Sequence, residues 1–285
     1  MTGGFFKMDE KQLQKEAMRV LKETSRTFYI PITFLDRDLK HAVGAAYLCM
    51  RALDEIEDNE KVDNNKKHDM LLAVAPLFQY PFDDAAYQAV LGDERDKMPE
   101  VTIRMKDWIE FCPAGARDIM FRACTEMAEG MGKWCKKNFN VETREDLDEY
   151  TYYVAGLVGR MLSEMWEWKT GLVTDHDLAI GYGRGLQAVN ILRNEEEDME
   201  ERGVSFVPNG WTRDDLFNYA DEQLAHGDKY MEAIKSQKRI YMFAKLPHAL
   251  AHKSLKAMKE GREKMSRAEV EETVRELEEE TGLKN

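Results

Sequence analysis

Apolar residues recur at helical spacing through long stretches of this chain, and only 7 prolines interrupt its 285 residues. No series of alternating strands competes with that pattern, and strong helix formers abound, so the sequence predicts an all-α protein. Leu13, Ala17, Val20 and Leu21 mark an opening helix over 9–24. A break at Thr24–Phe28, Pro31 and an Asp36–Asp38 turn precede the next helix, which starts near Asp38. The polar run Asn59–His68 reads as a loop, and a helix from about His68 to Val74 follows it. Further helices are expected over 99–111, 113–138, 143–168, 175–201 and 212–236, with Pro247 interrupting the segment around Phe243–Leu250. Thr143 with Asp146, and Ser266 with Glu269, have capping-box spacing, the second opening a last, mostly exposed helix to about Thr281. Gly130, Gly132, Gly156 and Gly159 weaken their helices unless close packing, against another helix or a ligand, compensates.

Two acidic clusters carry the chemistry. In the helical stretch 47–58, Asp54 and Asp58 lie on one face with Arg51 a turn earlier, while Tyr47, Leu48 and Ala52 face inward. Paired carboxylates suit a hard divalent cation such as Mg²⁺, which takes oxygen ligands and bridges them to phosphate; the alternative is a solvated acidic turn. Far downstream, Asn190, Asn194 and Asp198 share a helix face, with Gln187 and Glu197 beside it. Glu195, Glu196, Glu200 and Glu201 read as solvated surface. Gln187, Asn190 and Asn194 sit among Leu186, Val189, Ile191 and Leu192, so their amides need polar partners if they are buried.

The chain is long enough for a large core, and nothing in it forces a division, so one domain spanning 1–285 is expected. A formal charge of -13, from 41 Lys plus Arg against 54 Asp plus Glu, argues against a nucleic-acid partner. Cys49, Cys112, Cys124 and Cys135 show no CxxC spacing, which predicts buried, reduced thiols and a cytoplasmic setting. Phe5 and Phe6 run at once into Lys7 and Asp9, unlike a signal peptide, and no run is long enough to span a bilayer.

Read together and in order, several stretches resemble the squalene/phytoene synthase family of head-to-head prenyltransferases, its squalene synthase branch more than its carotenoid branch. They are Ser25–Phe28, Arg51–Asp58, Tyr150 with Tyr153–Gly159, and Gln187–Asp198 followed by Phe206 and Pro208; Met127–Gly132 and Lys264–Arg267 match more weakly. The resemblance runs from Ser25 to about Val270. It implies an isoprenoid-synthase helical bundle around a central apolar cavity, with two acidic motifs facing each other across its mouth. Asp54, Glu57 and Asp58 would then hold Mg²⁺ on one side, and Asn190, Asn194 and Asp198 on the other. Arg26, Arg51 and Arg193 would contact diphosphate or the phosphates of NADPH, with Lys264 and Arg267 near the nicotinamide cofactor or simply on the surface. Ser25, Phe28, Tyr47, Tyr153 and Gln187 would line the substrate site. Tyr150 would assist ionisation or take a proton, a packing role being the equal alternative. The implied reaction joins two farnesyl diphosphates, with NADPH reduction to squalene or a related product. The ending Glu-Thr-Gly-Leu-Lys-Asn carries no membrane anchor, which suggests a soluble or peripherally membrane-associated protein.

Two positions depart from the family pattern. Asn194 stands where the second motif normally begins with Asp, and an amide oxygen ligates Mg²⁺ without the negative charge. Val204 stands where the following flap usually has Arg; Arg202 is close enough in sequence to substitute. Both changes leave open a one-substrate enzyme or a non-catalytic lipid- or partner-binding homologue.

Overall fold

The computed structural model describes residues 8–262 and 265–284, apart from the Arg26 side chain. The described residues form fourteen α-helices and no strand. In chain order these are α1 (Glu10–Thr24), α2 (Arg26–Thr33), α3 (Arg37–Glu57), α4 (Asn64–Val74), α5 (Asp84–Leu91), α6 (Glu100–Ile103) and α7 (Met105–Phe111). Then follow α8 (Ala114–Lys136), α9 (Arg144–Thr151), α10 (Leu157–Thr170), α11 (His176–Glu197), α12 (Arg213–Ile234), α13 (Lys238–Lys259) and α14 (Arg267–Thr281).

Short polar side chains start many of these helices by accepting hydrogen bonds from otherwise unpaired first-turn amides. Asp9, Asp63, Asp83 and Asp175 do so on α1, α4, α5 and α11. Thr143, Thr212 and Ser266 form complete capping boxes with Asp146, Asp215 and Glu269. Three local expectations are corrected. Asp63 caps α4, so the polar run 59–68 is half helix rather than all loop. Pro31 and Pro247 both lie inside helices, α2 and α13, instead of ending them. The expected helix over 99–111 is split at Arg104 into α6 and α7.

Two helices run through the middle of the bundle. α3 packs against α1, α6, α7, α8 and α10; α11 packs against α9, α10, α12 and α13. Their burial follows from composition, since thirteen α3 residues are buried, among them Leu39, Ala45, Leu48, Cys49, Leu53 and Ile56. α11 comes unusually close to its neighbours because its contact face is glycine. A Cβ on Gly183 would stand 2.2 Å from Ala155 O, and one on Gly159 of α10 would stand 2.0 Å from Ala179 O. These contacts are backbone against backbone, so no side chain could swing aside to make room. Gly130 of α8 is likewise covered by the Tyr153 ring.

All four cysteines are free and buried. A smaller apolar cluster of Phe34, Met242, Leu246 and Leu277 seats α14 on α13, so that helix is more than a solvated appendage. Among the described residues, no helix is long and apolar enough to cross a membrane.

Candidate active site

Both acidic clusters lie at the C-terminal ends of the two central helices. A helix C-terminus carries partial negative charge and ordinarily attracts Lys or Arg, yet the last turns of α3 and α11 contain none. Asp54, Glu57 and Asp58 thus crowd like charge onto an already negative pole. Asp198 does the same for α11.

The two ends converge on a polar hollow of about 260 Å³ lined by Asp54, Glu57, Asp58, Asn190, Asn194 and Asp198, together with Arg51, Tyr150, Gln187 and Arg202. Arg202 spans it. Its Nη1 lies 3.2 Å from Asp58 Oδ1 and 3.9 Å from Asp198 Oδ1. The guanidinium also sits over the Phe139 and Phe206 rings, at 4.9 and 5.8 Å from their centroids, and its buried Nη2 has no partner. A widened, π-helical turn over Asp198–Arg202 ends α11 and aims both side chains inward; Gly203, at φ 63°, then reverses the chain. The flap that follows brings Phe206 flat against Tyr150, with ring centroids 4.6 Å apart. Val204 faces a neighbouring cleft shared with Asp58 and Lys67. Arg202 thus sets a positive charge between Asp58 and Asp198 from within the helical turn, while Val204 on the flap brings none.

Charge and burial shift the protonation of this cluster in one direction. Burial, reinforced by the Asp58 charge and opposed by Arg51, pushes the Asp54 carboxyl up to about 7, although 36% of its side-chain surface opens into the hollow. Glu57 is 1% exposed, its Oε1 has no hydrogen-bond partner, and burial together with Asp58 and Asp54 raises it well above the carboxylate range. Burial raises Asp58 and Asp198 as well, against the pull of Arg202. Four carboxylates that resist ionising together, one with an orphaned oxygen, form a donor set of hard oxygens suited to Mg²⁺.

A second, mostly apolar cavity of about 260 Å³ adjoins the polar one, and Arg51, Asp54, Val154, Gln187 and Asn190 line both. Its walls include Phe28, Tyr47, Met50, Met127, Leu162 and Phe243. Ala155, Gly159 and Gly183 line it too, so the glycines that bring α10 and α11 together also open its wall. Another widened turn, over Tyr152–Gly156, carries Val154 and Ala155 to it. Tyr150 is 4% exposed, packed edge-on against Trp134, and burial holds its phenol well above its usual range. At neutral pH it keeps its proton.

Several residues expected at the site are placed elsewhere. The Ser25 hydroxyl is occupied in capping α2, accepting from Phe28 N at 3.0 Å. Tyr153 lies on Gly130 and lines neither cavity, because the Tyr152–Gly156 turn rotates it toward α8. Arg193 is exposed, donates to Asn190 Oδ1 at 2.7 Å, and faces an outer groove between α11, α13 and α14. Arg267 pairs with Glu271 and is 93% exposed on the first turn of α14. Lys264 and the Arg26 side chain lie outside the described residues. Arg51 is the one described cation of the expected phosphate-binding set at the hollow, 3.4 Å from Asp54 and 2.5 Å from Glu55. Arg51, Arg193 and Arg267 thus do not gather into one cradle for the phosphates of NADPH.

Lys67 was hidden in what reads as a polar loop. It is 5% exposed, and burial lowers its ammonium beside Asp58 and Glu57. The one sequence signal for it is Asp63, whose capping spacing starts α4 early enough to make Lys67 helical.

A helical bundle with carboxylates at the mouth of an apolar cavity defines the isoprenoid-synthase class of fold. Known structures agree: the ligand complex of TcSQS superposes with a TM-score of 0.74 at 23% identity, covering 94% of this chain and 86% of that one. The squalene synthase HpnC from Alicyclobacillus acidocaldarius gives 0.60 at 16% identity, covering 88% and 95%. The sequence model for squalene/phytoene synthase matches residues 21–276, and the chain belongs to that family. Squalene synthase of Rattus norvegicus is 32% identical over 214 residues, 71% of this chain and 49% of that protein. That of Solanum lycopersicum is 31% identical over 225 residues, 76% and 52% respectively. The chain spans about half the length of these relatives.

Proposed function

We propose that this chain is a Mg²⁺-dependent prenyltransferase that joins two farnesyl diphosphates head to head through presqualene diphosphate. The observation that carries this reading is the convergence of Asp54, Glu57, Asp58 and Asp198 at the mouth of an apolar cavity, with Glu57 Oε1 unpartnered. Asp54, Glu57 and Asp58 on one side, and Asp198 with the amide oxygens of Asn190 and Asn194 on the other, would hold Mg²⁺ ions between them. When bound, Mg²⁺ supplies the positive charge that lets a diphosphate leave its allylic carbon.

The chain's own residues do the rest. Arg51 and Gln187 sit on the seam between the polar and apolar compartments, where they orient a diphosphate whose hydrocarbon chain extends past Phe28 and Tyr47. The aromatic walls keep water from an allylic cation and stabilise it through their π faces. Tyr150 holds its proton at the polar end, against Phe206, and would donate it in a hydrogen bond to a departing phosphate oxygen. Arg202, now paired with Asp58 and Asp198, would be free to bind phosphate oxygens if a cation offset those carboxylates. An outer groove of about 800 Å³ shares Phe28, Leu186 and Asn190 with the apolar cavity and gives room for a second chain. Among the described residues, Arg51, Arg193 and Arg267 form no common cradle for the phosphates of NADPH.

Asn194 and Val204 favour a second reading. A neutral amide at Asn194 leaves the α11 wall less negative and Val204 adds no cation from the flap, which fits ionisation of a single prenyl diphosphate to an alcohol, an alkene or a cyclised product. Incubating the protein with farnesyl diphosphate and Mg²⁺, with and without NADPH, and analysing the extract by mass spectrometry separates the two. A thirty-carbon product supports coupling, a fifteen-carbon product supports the second reading, and intact substrate in every arm rejects both.

A further inference from the structure

Away from the acidic hollow, one cluster sets two imidazoles, which Mg²⁺ does not favour, around a single carboxylate. Asp228 projects from α12 toward His248 and His252, one turn apart on α13. His248 Nε2 stands 2.7 Å and His252 Nε2 2.9 Å from the same oxygen, Asp228 Oδ1, and the three donor atoms all lie within 4.8 Å of one another. The imidazoles meet edge to face, with centroids 4.7 Å apart at 86°, so their Nε2 atoms converge on one point instead of stacking past it. We propose that Asp228, His248 and His252 bind one divalent transition-metal ion of the zinc class, tying α12 to α13.

The donor set decides the class of ion. Two imidazole nitrogens and one carboxylate are a ligand set for Zn²⁺ and its transition-metal neighbours, whereas Mg²⁺ prefers oxygen throughout. Donors around a tetrahedral Zn²⁺ with bonds of about 2.0 Å stand roughly 3.3 Å apart. The pairs that now touch through hydrogen bonds therefore need to open by only a few tenths of an ångström. The cluster can do so, because Asp228 and His252 have side chains 54% and 42% exposed, while the His248 side chain is wholly enclosed and stays fixed. That exposure also leaves room for a water ligand and a path for the ion.

The fold prepares the enclosed member. Gly227 lies under the His248 ring, where a Cβ would come within 2.4 Å of Cε1, so glycine at that position lets the imidazole sink between the helices. The His248 Nδ1 is buried there without a partner, which leaves Nε2, on the Asp228 side, as its coordinating atom. Behind it, Tyr182 lies 5.8 Å away centroid to centroid, donates to Ala244 O at 3.0 Å, and lines the apolar cavity. An ion at this site braces the helix pair that backs one cavity wall. None of its three ligands lines the polar hollow.

The test uses the full chain, stripped with chelator and held in millimolar Mg²⁺ so that the acidic hollow is occupied. Titration with ZnCl₂ by calorimetry should show one equivalent binding with micromolar affinity or better, and the melting temperature should rise with it. Co²⁺ in its place should give the visible absorption of a low-coordinate site. His252→Ala and Asp228→Asn, both at exposed positions, should each weaken binding about tenfold or more, with helix content unchanged by circular dichroism. His176→Ala, at the exposed start of α11, should bind as the parent does. Absence of saturable uptake overturns the proposal, as does uptake that His252→Ala and Asp228→Asn leave intact, since the ion would then sit elsewhere.

Discussion

Arg202 Nη1 lies 3.2 Å from Asp58 Oδ1, joining the last turn of the second acidic helix to the end of the first. The Arg202 guanidinium is a positive charge set between the two clusters. It occupies part of the space where a cation would offset Asp58 and Asp198. Arg202→Met should accordingly lower stability in Mg²⁺-free buffer by about 1–3 kcal/mol, because carboxylates in a recessed hollow lose their partner. Added Mg²⁺ should recover most of that loss, and the KM for prenyl diphosphate should rise. Thermal melts with and without Mg²⁺ measure both effects; a variant that melts alike under both conditions would show that Arg202 is not a stand-in for the metal.

Asp54→Asn tests the first cluster. Loss of a central ligand should reduce turnover at least about a hundredfold. Stability in Mg²⁺-free buffer at pH 8 should hold or improve, since an amide removes a charge whose burial is unfavourable. Steady-state assays beside melting curves check the pair of outcomes, and retained activity would mean the metal lies elsewhere.

The shifted carboxyls make stability depend on pH in a definite sense. Asp54 is raised from an unfolded value near 3.8 to about 7, so between those values the folded state binds more protons than the unfolded chain. Its stabilising contribution is fully present below the unfolded pKa and is lost as pH rises through about 7. Glu57 is shifted in the same direction. The Mg²⁺-free protein should therefore melt higher at pH 5.5 than at pH 8, and Asp54→Asn should shrink the difference. Binding of Mg²⁺ near pH 6 should release protons, measurable as a buffer-dependent calorimetric enthalpy. A flat profile would contradict the crowding of these groups.

Asn194→Asp adds a charged oxygen to the weaker wall of the hollow. It should tighten the apparent Mg²⁺ requirement on the order of tenfold, as ligand charge tunes cation affinity. Product analysis alongside shows whether coupling of two chains depends on that charge. An unchanged requirement and an unchanged product profile would remove position 194 from the site.

Gly183→Ala addresses the scaffold. A methyl 2.2 Å from the Ala155 carbonyl must push α11 off the widened turn before α10. Destabilisation of about 2–3 kcal/mol is expected, seen as a fall in Tm of roughly 5–10 °C.

Local features of the chain were enough to read the helices, several of their caps and the two acidic clusters, because periodicity, capping and charge spacing act within a few residues of one another. Asp54 with Asp58, and Asn190 with Asn194 and Asp198, share faces through nothing more than the pitch of a helix. The same local logic misjudged Pro31, Pro247 and the start of α4, where packing and a single cap outweigh breaker residues. Tyr153 and Arg193 sit beside residues that reach the site, but a widened turn sends one toward Gly130 and helix rotation sends the other to an outer groove. Arg202 and Lys67 become part of the polar end only because the widened turn at the end of α11 and the docking of α4 bring them there. Asp228, His248 and His252 meet across two helices that pack by way of Gly227. What the sequence determined by itself was which residues share a helix face. Which faces meet was decided by tertiary packing, because it depends on the shapes of surfaces that lie far apart along the chain.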